Sequence, residues 1–294
     1  MPERTTSLED FNTMAVTSAA AVIAGYSTSF SLATKLLRPA VRDDIRNLYA
    51  VVRIADEIVD GTAADAGYSD EQIRAELDAF EKDVYRTIDS GFSTNPAVHA
   101  FGLTARSCSI DKEHLRAFFR SMRADIDTDS YGDRSLGDYI YGSAEVIGLM
   151  CLSVFLRGTT PDPATAGTLH EGARRLGAAF QKINFLRDLG EDRTSLGRTY
   201  FEGTADVLTE QKKDALVAEI RDDLDCARRA IPHLPYSARA AVLAAHDLFE
   251  SLTDTIDSMP ASTVMTTRAS VNGRKKILLM AIACGKAVRM GDRG

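Results

Sequence analysis

The sequence predicts an all-α protein: a single-domain bundle of roughly eight to ten helices over residues 1–294, with its site between facing helices. Three observations carry that prediction. The eight prolines are sparse, and long segments rich in Ala, Leu, Arg and Glu run between them. Apolar residues recur at helical spacing within those segments. Strand signals are nearly absent, with no alternating Val/Ile/Thr runs and no Asn-Gly hairpin.

Taken in order, residues 1–12 read as a flexible N-terminus. The uncharged stretch Phe11–Thr34 could be mistaken for a membrane span. Thr17, Ser18, Gly25, Ser27, Thr28, Ser29 and Ser31 interrupt it, too many hydroxyls for a lipid-facing helix. Glu3, Glu9 and Asp10 precede it, the wrong flank for a signal peptide. Segment 40–60 is strongly apolar and helical. Segment 70–89 places Ile73, Leu77, Phe80, Val84 and Ile88 on one face. Segments 111–128, 136–157 and 168–192 follow. Segment 205–231 repeats the pattern with Val207, Leu216, Ile220, Leu224 and Ala227, and 237–258 and 272–289 complete the bundle.

Composition excludes several classes. At 45% hydrophobic and 26% charged, the chain can bury a sizeable core and is not disordered. Its net charge of −7 argues against nucleic-acid binding, which needs a basic face. Weakly, it also argues against anionic membranes and anionic substrates. Cys108, Cys151, Cys226 and Cys284 form no CxxC and read as isolated thiols in a reducing compartment. The five histidines (99, 114, 170, 233 and 246) form no HExxH pair, which gives little support to histidine metal chemistry. The protein is predicted to be soluble and cytoplasmic.

The chemistry concentrates in two segments. In LYAVVRIADEIVD (48–60), Tyr49, Arg53, Asp56 and Asp60 fall on one helix face, and the flanks are apolar. So apolar a helix is expected to be buried, and buried carboxylates need partners. In LGAAFQKINFLRDLGEDRTSLGRTYF (176–201), Gln181, Asn184, Asp188 and Asp192 form a second stripe, with Arg187 beside it and Arg198 and Tyr200 beyond. One DxxxD alone is commonly a solvated acidic face. Two, each interrupting an apolar helix and each with an Arg alongside, suggest stripes facing across a cavity and holding Mg²⁺. Nearby Arg and Lys would grip phosphates, so the implied substrate is a diphosphate with an apolar tail.

These segments resemble the squalene/phytoene synthases, the head-to-head isoprenoid synthases. YAVVRIADEIVD is similar to the family's first aspartate-rich motif, and QKINFLRDLGEDRTSLGRTYF to its second. Ser27-Thr28-Ser29-Phe30 matches its early Ser-x-Ser-Phe, and YIYGSAEVIG (139–148) its YxYxVAGxVG segment. The motifs keep the family's order over about residues 26–200.

The resemblance implies an isoprenoid-synthase helical bundle with a central cavity. It implies that Asp56, Asp60, Asn184, Asp188 and Asp192 bind Mg²⁺, with Mn²⁺ as a substitute. Asp56, Asp60, Asp188, Asp192 and Tyr139 would be catalytic. Ser27, Phe30, Arg53, Gln181, Asn184, Arg187, Arg198 and Tyr200 would bind substrate. The implied reaction joins two identical prenyl diphosphates through a cyclopropyl diphosphate and rearranges it to a hydrocarbon. Metal would neutralise the leaving diphosphate. A dry pocket would protect the carbocation. Phe30, Tyr139, Tyr141 and Phe185 either offer aromatic faces to that cation or simply pack the core.

Three departures stand out. Ser143-Ala144-Glu145 replaces the family's Val-Ala-Gly, and Glu145 either faces solvent, pairs with an Arg or modifies the pocket. Phe249 stands where the family often has Tyr. Arg268, Arg274 and Lys275 are either the family's basic C-terminal contacts or a solvated turn.

The wording of the second motif and the lack of a C-terminal hydrophobic anchor favour phytoene synthesis from two geranylgeranyl diphosphates, with no NADPH. The alternatives are C15-using squalene, dehydrosqualene or presqualene diphosphate synthases. A non-enzymatic assembly-factor homologue is disfavoured because all four aspartates are retained. A head-to-tail synthase is disfavoured because no DDxxD or NSE motif is found. Prenyl diphosphates are the expected partners, with peripheral membrane association left open for product release.

Overall fold

The computed structural model describes residues 6–126, 136–195 and 208–291, with the backbone alone for 190–195 and 291. The described residues form α-helices joined by short turns and contain no strand, so the all-α prediction holds. Ten of the helices run ten residues or longer.

Helix α1 (Ser7–Tyr26) starts with a capping box. The Thr6 hydroxyl accepts from Glu9 N, and the Glu9 carboxylate accepts from Thr6 N at 2.6 Å. The stretch 1–12, expected to be flexible, is therefore helical from Ser7. Thr6 and Glu9 make the cap that fixes this start. Helix α2 (Thr28–Thr34) follows directly, capped by Ser27. Then come α3 (Pro39–Val59), the short α4 (Thr62–Asp65), α5 (Asp70–Ser90), α6 (Pro96–Ser107) and α7 (Lys112–Ile126). Leu48, Val51, Leu77, Phe101, Phe118 and Met122 from these helices build one core.

The segment predicted as helical over 136–157 is one helical run, Leu136–Phe155, in which α8 (Leu136–Ile140) and α9 (Val146–Phe155) are joined by a π-helical stretch at Tyr141–Glu145. Leu136–Phe155 is long and apolar enough to span a membrane, at a mean hydropathy of 1.2. Here it forms the middle of the bundle. Val146, Met150 and Val154 enter the first core and Ile140 enters a second. Glu145 pairs with Arg174 (Nε–Oε2 2.7 Å), which decides among its three readings.

Helices α10 (Pro163–Ser195), α11 (Glu210–Ala230) and α12 (Tyr236–Ser258) build the second core from Ile183, Leu186, Ile220, Leu224, Leu252 and Ile256. The short α13 (Ala261–Val264) and the final α14 (Gly273–Gly291) follow. Helix α9 meets α10 almost backbone to backbone. A Cβ on Gly148 would sit 2.3 Å from the Ala173 carbonyl oxygen, and one on Gly177 would sit 2.4 Å from that of Ala144. Only glycine permits that approach.

Two buried ion clusters fix helix rotation. Asp223 of α11 receives Arg175 and Lys182 of α10, the latter at 2.9 Å. Arg175 and Lys182 lie about 140° around α10 from the Gln181–Asn184–Asp188 stripe, so pairing them with α11 turns that stripe away from α11. Asp247 of α12 accepts from Arg228 of α11 (3.0 Å) and Lys286 of α14 (3.0 Å) and lies 3.1 Å from His246 Nδ1. His246, Asp247 and Glu250 are close enough together to hold a metal, but Arg228 and Lys286 already supply the positive charge there.

Candidate active site

Helices α3 and α10 are tied together at two levels. At the first, the Phe30 ring of α2 lies between them, 6.4 Å from Tyr49 of α3 and 5.9 Å from Phe180 of α10. At the second, the Tyr139 hydroxyl donates to Asp125 Oδ2 at 3.1 Å, and the Tyr139 ring lies 6.1 Å from Phe185 of α10. Asp125 is close enough to Asp56 of α3 for its charge to act on that carboxyl. Both levels advance toward the C-termini, so α3 and α10 run in the same direction. Asp56 lies about 10 Å along α3 from Tyr49, and Asp188 about 12 Å along α10 from Phe180. The acidic stripes therefore end up at the same end of the bundle.

Among the described residues, the charges that act on Asp56 are Asp60, Asp125 and Glu57 against Arg53. Arg53 Nη1 donates to Asp56 Oδ2 at 3.0 Å and also bonds Glu57. The Arg53 guanidinium lies over the Tyr26 ring, 4.5 Å from its centroid. Burial pushes Asp56 up to about 7, the Asp60 charge adds to this, and Arg53 opposes it. Burial also pushes Glu57 up, but its bonds from Thr62 and Arg53 outweigh that, and its net shift is downward. Tyr49 is raised mainly by burial.

On α10, Asp188 is gripped by Arg187 (Nε–Oδ1 2.9 Å, Nη2–Oδ2 2.5 Å) and by Arg268 (Nε–Oδ1 3.0 Å). Arg268 thus reaches the site, whereas Arg274 and Lys275 are exposed at the start of α14. Gln181 and Asn184 are half-buried on the same stripe. Asp192 continues it along α10, but its side chain lies outside the described residues, as do Arg198 and Tyr200 entirely.

Below the acidic end lies an apolar cavity of about 170 Å³, partly open to solvent. Phe30, Ile45, Cys151, Leu169, Gly177 and Ala241 are among its lining residues, which come from α2, α3, α9, α10, α11 and α12. Phe30, Phe180 and Phe249 meet at its upper end, with Phe180 stacked on Phe249 at 3.8 Å. Leu169 lines it eleven residues before Phe180, about 16 Å along α10.

The sequence-predicted residues take distinct places. Ser27 caps α2, accepting from Phe30 N at 3.1 Å, and hydrogen-bonds Tyr49. Tyr141 turns away from the site, its ring facing Arg174 at 5.8 Å. Sequence reasoning missed Asp125, which is 3% exposed, and also Glu57 and Tyr26. Asp125 sits in RSMRADID, where an acid among arginines reads as surface charge. Glu57 could have been found as the i+4 partner of Arg53.

Comparison with known proteins gives the family. The squalene/phytoene synthase family profile matches residues 23–275. A chloroplastic phytoene synthase 2 of Oryza sativa subsp. japonica is 29% identical over 291 residues, covering 90% of this chain and 69% of that one. A 4,4'-diapophytoene synthase of Staphylococcus haemolyticus is 32% identical over 181 residues, covering 61% and 59%. The crystal structure of a ligand-bound dehydrosqualene synthase superposes with a TM-score of 0.76 at 18% identity, over 94% of this chain and 98% of that one. At that identity the likeness shows a shared fold. The chain belongs to the squalene/phytoene synthase family, whose members are prenyltransferase-type synthases acting on prenyl diphosphates.

Proposed function

We propose that this protein condenses two geranylgeranyl diphosphates head to head, through prephytoene diphosphate, to phytoene. The observation that carries the reading is the apolar, aromatic-capped cavity beneath two acidic stripes that share one end of the bundle. A diphosphate fits the acidic, arginine-edged end, and a polyprenyl tail fits the cavity. The similarity to a phytoene synthase over 90% of the chain supports the C20 substrate.

The donor set fits Mg²⁺ or Mn²⁺. Asp56, Asp60, Asn184, Asp188 and Asp192 offer hard oxygen atoms. Burial first, and the Asp60 charge second, hold the Asp56 carboxyl above its usual range, and Arg53 does not cancel this. When bound, the metal supplies Lewis-acid neutralisation of the departing diphosphate.

The chain's own residues do the rest. Arg53, Arg187 and Arg268, now held on Asp56 and Asp188, are placed to exchange those partners for phosphate oxygens. Phe30 and Phe180 line the cavity and would exclude water beside the ionised carbon, with Phe249 stacked behind Phe180. Asp125 orients the Tyr139 hydroxyl at the level of the acidic end. The final step of phytoene formation is proton loss, so NADPH is not required.

A C15 substrate is the second reading, favoured by the similarity to the 4,4'-diapophytoene synthase. The deciding experiment is incubation with Mg²⁺ and either C15 or C20 diphosphate, with and without NADPH, followed by hydrocarbon analysis. A C40 hydrocarbon formed without NADPH is expected. A C30 hydrocarbon alone would replace the C20 assignment, and no hydrocarbon from either substrate would overturn the proposal.

A further inference from the structure

We propose that Arg174 of α10 is a positioning residue for Tyr139, acting through the π-helical stretch Tyr141–Glu145. The turn there is wider than in an α-helix: Val146 N–H donates to the Tyr141 carbonyl, five residues back rather than four. The extra residue rotates α8 by about 100° relative to α9. One helical run thereby serves both cores. Val146, Met150 and Val154 pack into the first, while Ile140 and the Tyr139 ring pack into the second beside α10. The rotation also aims the Tyr139 hydroxyl at Asp125.

Arg174 spans the two ends of the stretch. Its Nε donates to Glu145 Oε2 at 2.7 Å, on the last residue, and its guanidinium faces the Tyr141 ring, on the first, 5.8 Å from the centroid. Glu171, one turn earlier on α10, pairs with the same guanidinium at 3.6 Å. Glu145 is the better buried of the two acids, its side chain 15% exposed. π-Helical turns are rare and persist where surrounding contacts hold them. This one has a cost to offset: the Ser143 hydroxyl is buried with no hydrogen-bond partner among the described residues. Gly142 lets the stretch rest on α7 and Gly177 lets it rest on α10, but neither glycine has a side chain to fix its register. Arg174 supplies that tie.

Arg174 lies fourteen residues before Asp188. That is about 21 Å along α10, so its route to the reaction is through Tyr139 and not through the diphosphate. That Tyr139 acts on substrate rests on the proposed function; that Arg174 aims it does not.

The test is fluorine NMR of the full chain labelled with 3-fluorotyrosine, with the Tyr139 resonance assigned by its absence in Tyr139→Phe. Arg174→Gln and Glu145→Gln should each move the Tyr139 resonance, and Arg174→Lys, which keeps a cation for Glu145, should bring it back toward the wild-type position. Arg221→Gln, which removes an exposed ion pair between α11 and α12, should leave it unmoved. With Mg²⁺ and prenyl diphosphate, Arg174→Gln should lower kcat by about 10- to 100-fold and leave KM unchanged, as expected when a reacting group is misplaced and binding is not. A Tyr139 resonance unmoved in Arg174→Gln would overturn the proposal. So would an equal movement in Arg221→Gln, because the effect would then be general loosening. A moved resonance with unchanged kcat would uphold the tie and overturn the catalytic reading of Tyr139, so the two failures are told apart.

Discussion

Asp247→Asn probes the ion cluster that joins three helices behind the aromatic cap. Asp247 is 4% exposed, two residues before Phe249, and is held by Arg228, Lys286 and His246. Burial alone would raise its carboxyl, but these partners outweigh that and hold it down to about 2, from 3.8 when unfolded. The group is depressed on folding, so its stabilisation is present above pH 4 and is lost as the pH falls through 2. The shift corresponds to about 2 kcal/mol at neutral pH, with about half of that remaining at pH 3. An Asn keeps an acceptor for Arg228 but sets an amide donor against Lys286, so most of the contribution goes. Thermal unfolding followed by circular dichroism at pH 7 should show Tm lower by about 3 °C. The gap between wild type and variant should narrow toward pH 3. An unchanged Tm at pH 7, or a gap independent of pH, would refute the reasoning.

Two further predictions concern the site and its scaffold. Because Asp56 holds its proton up to about pH 7 without metal, Mg²⁺ binding should release a proton below that pH, and affinity should rise as pH approaches 7. Calorimetry at pH 6 in two buffers of different ionisation enthalpy should give different heats, and identical heats would contradict this. Gly148→Val should destabilise the fold by about 3 kcal/mol or more, since even a Cβ lies 2.3 Å from the Ala173 carbonyl and no flexible side chain can give way. A urea midpoint equal to wild type would rule out that contact.

The fold was legible wherever one helix face is apolar and the opposite face charged. The segments 40–60, 70–89 and 237–258 match α3, α5 and α12 to within a residue at each end. Helix α6 was missed because it is buried nearly all round, His99 and Thr104 included, so its sequence offers no contrast between faces. Helix α1 was missed because Ala, Ser and Thr dilute its pattern. The π-helical stretch at Tyr141–Glu145 has no local signature. It arises where Gly142 lets the chain press on α7, with a Cβ there only 2.1 Å from Ser121 Oγ. Both acidic stripes were readable from spacing alone. Their common end was not, because it depends on Phe30, Asp125 and Tyr139, contributed by three other elements. The paired state of Glu145 and the reach of Arg268 to Asp188 likewise depend on tertiary contacts.

The central claim is that the α3 and α10 stripes act as one metal and diphosphate cradle. The most direct measurement is hydrocarbon formation with Mg²⁺ by Asp56→Ala and Asp188→Ala, each checked by circular dichroism for an intact helical spectrum. The account predicts that both variants stay folded and both lose turnover. Full activity in either one would contradict it.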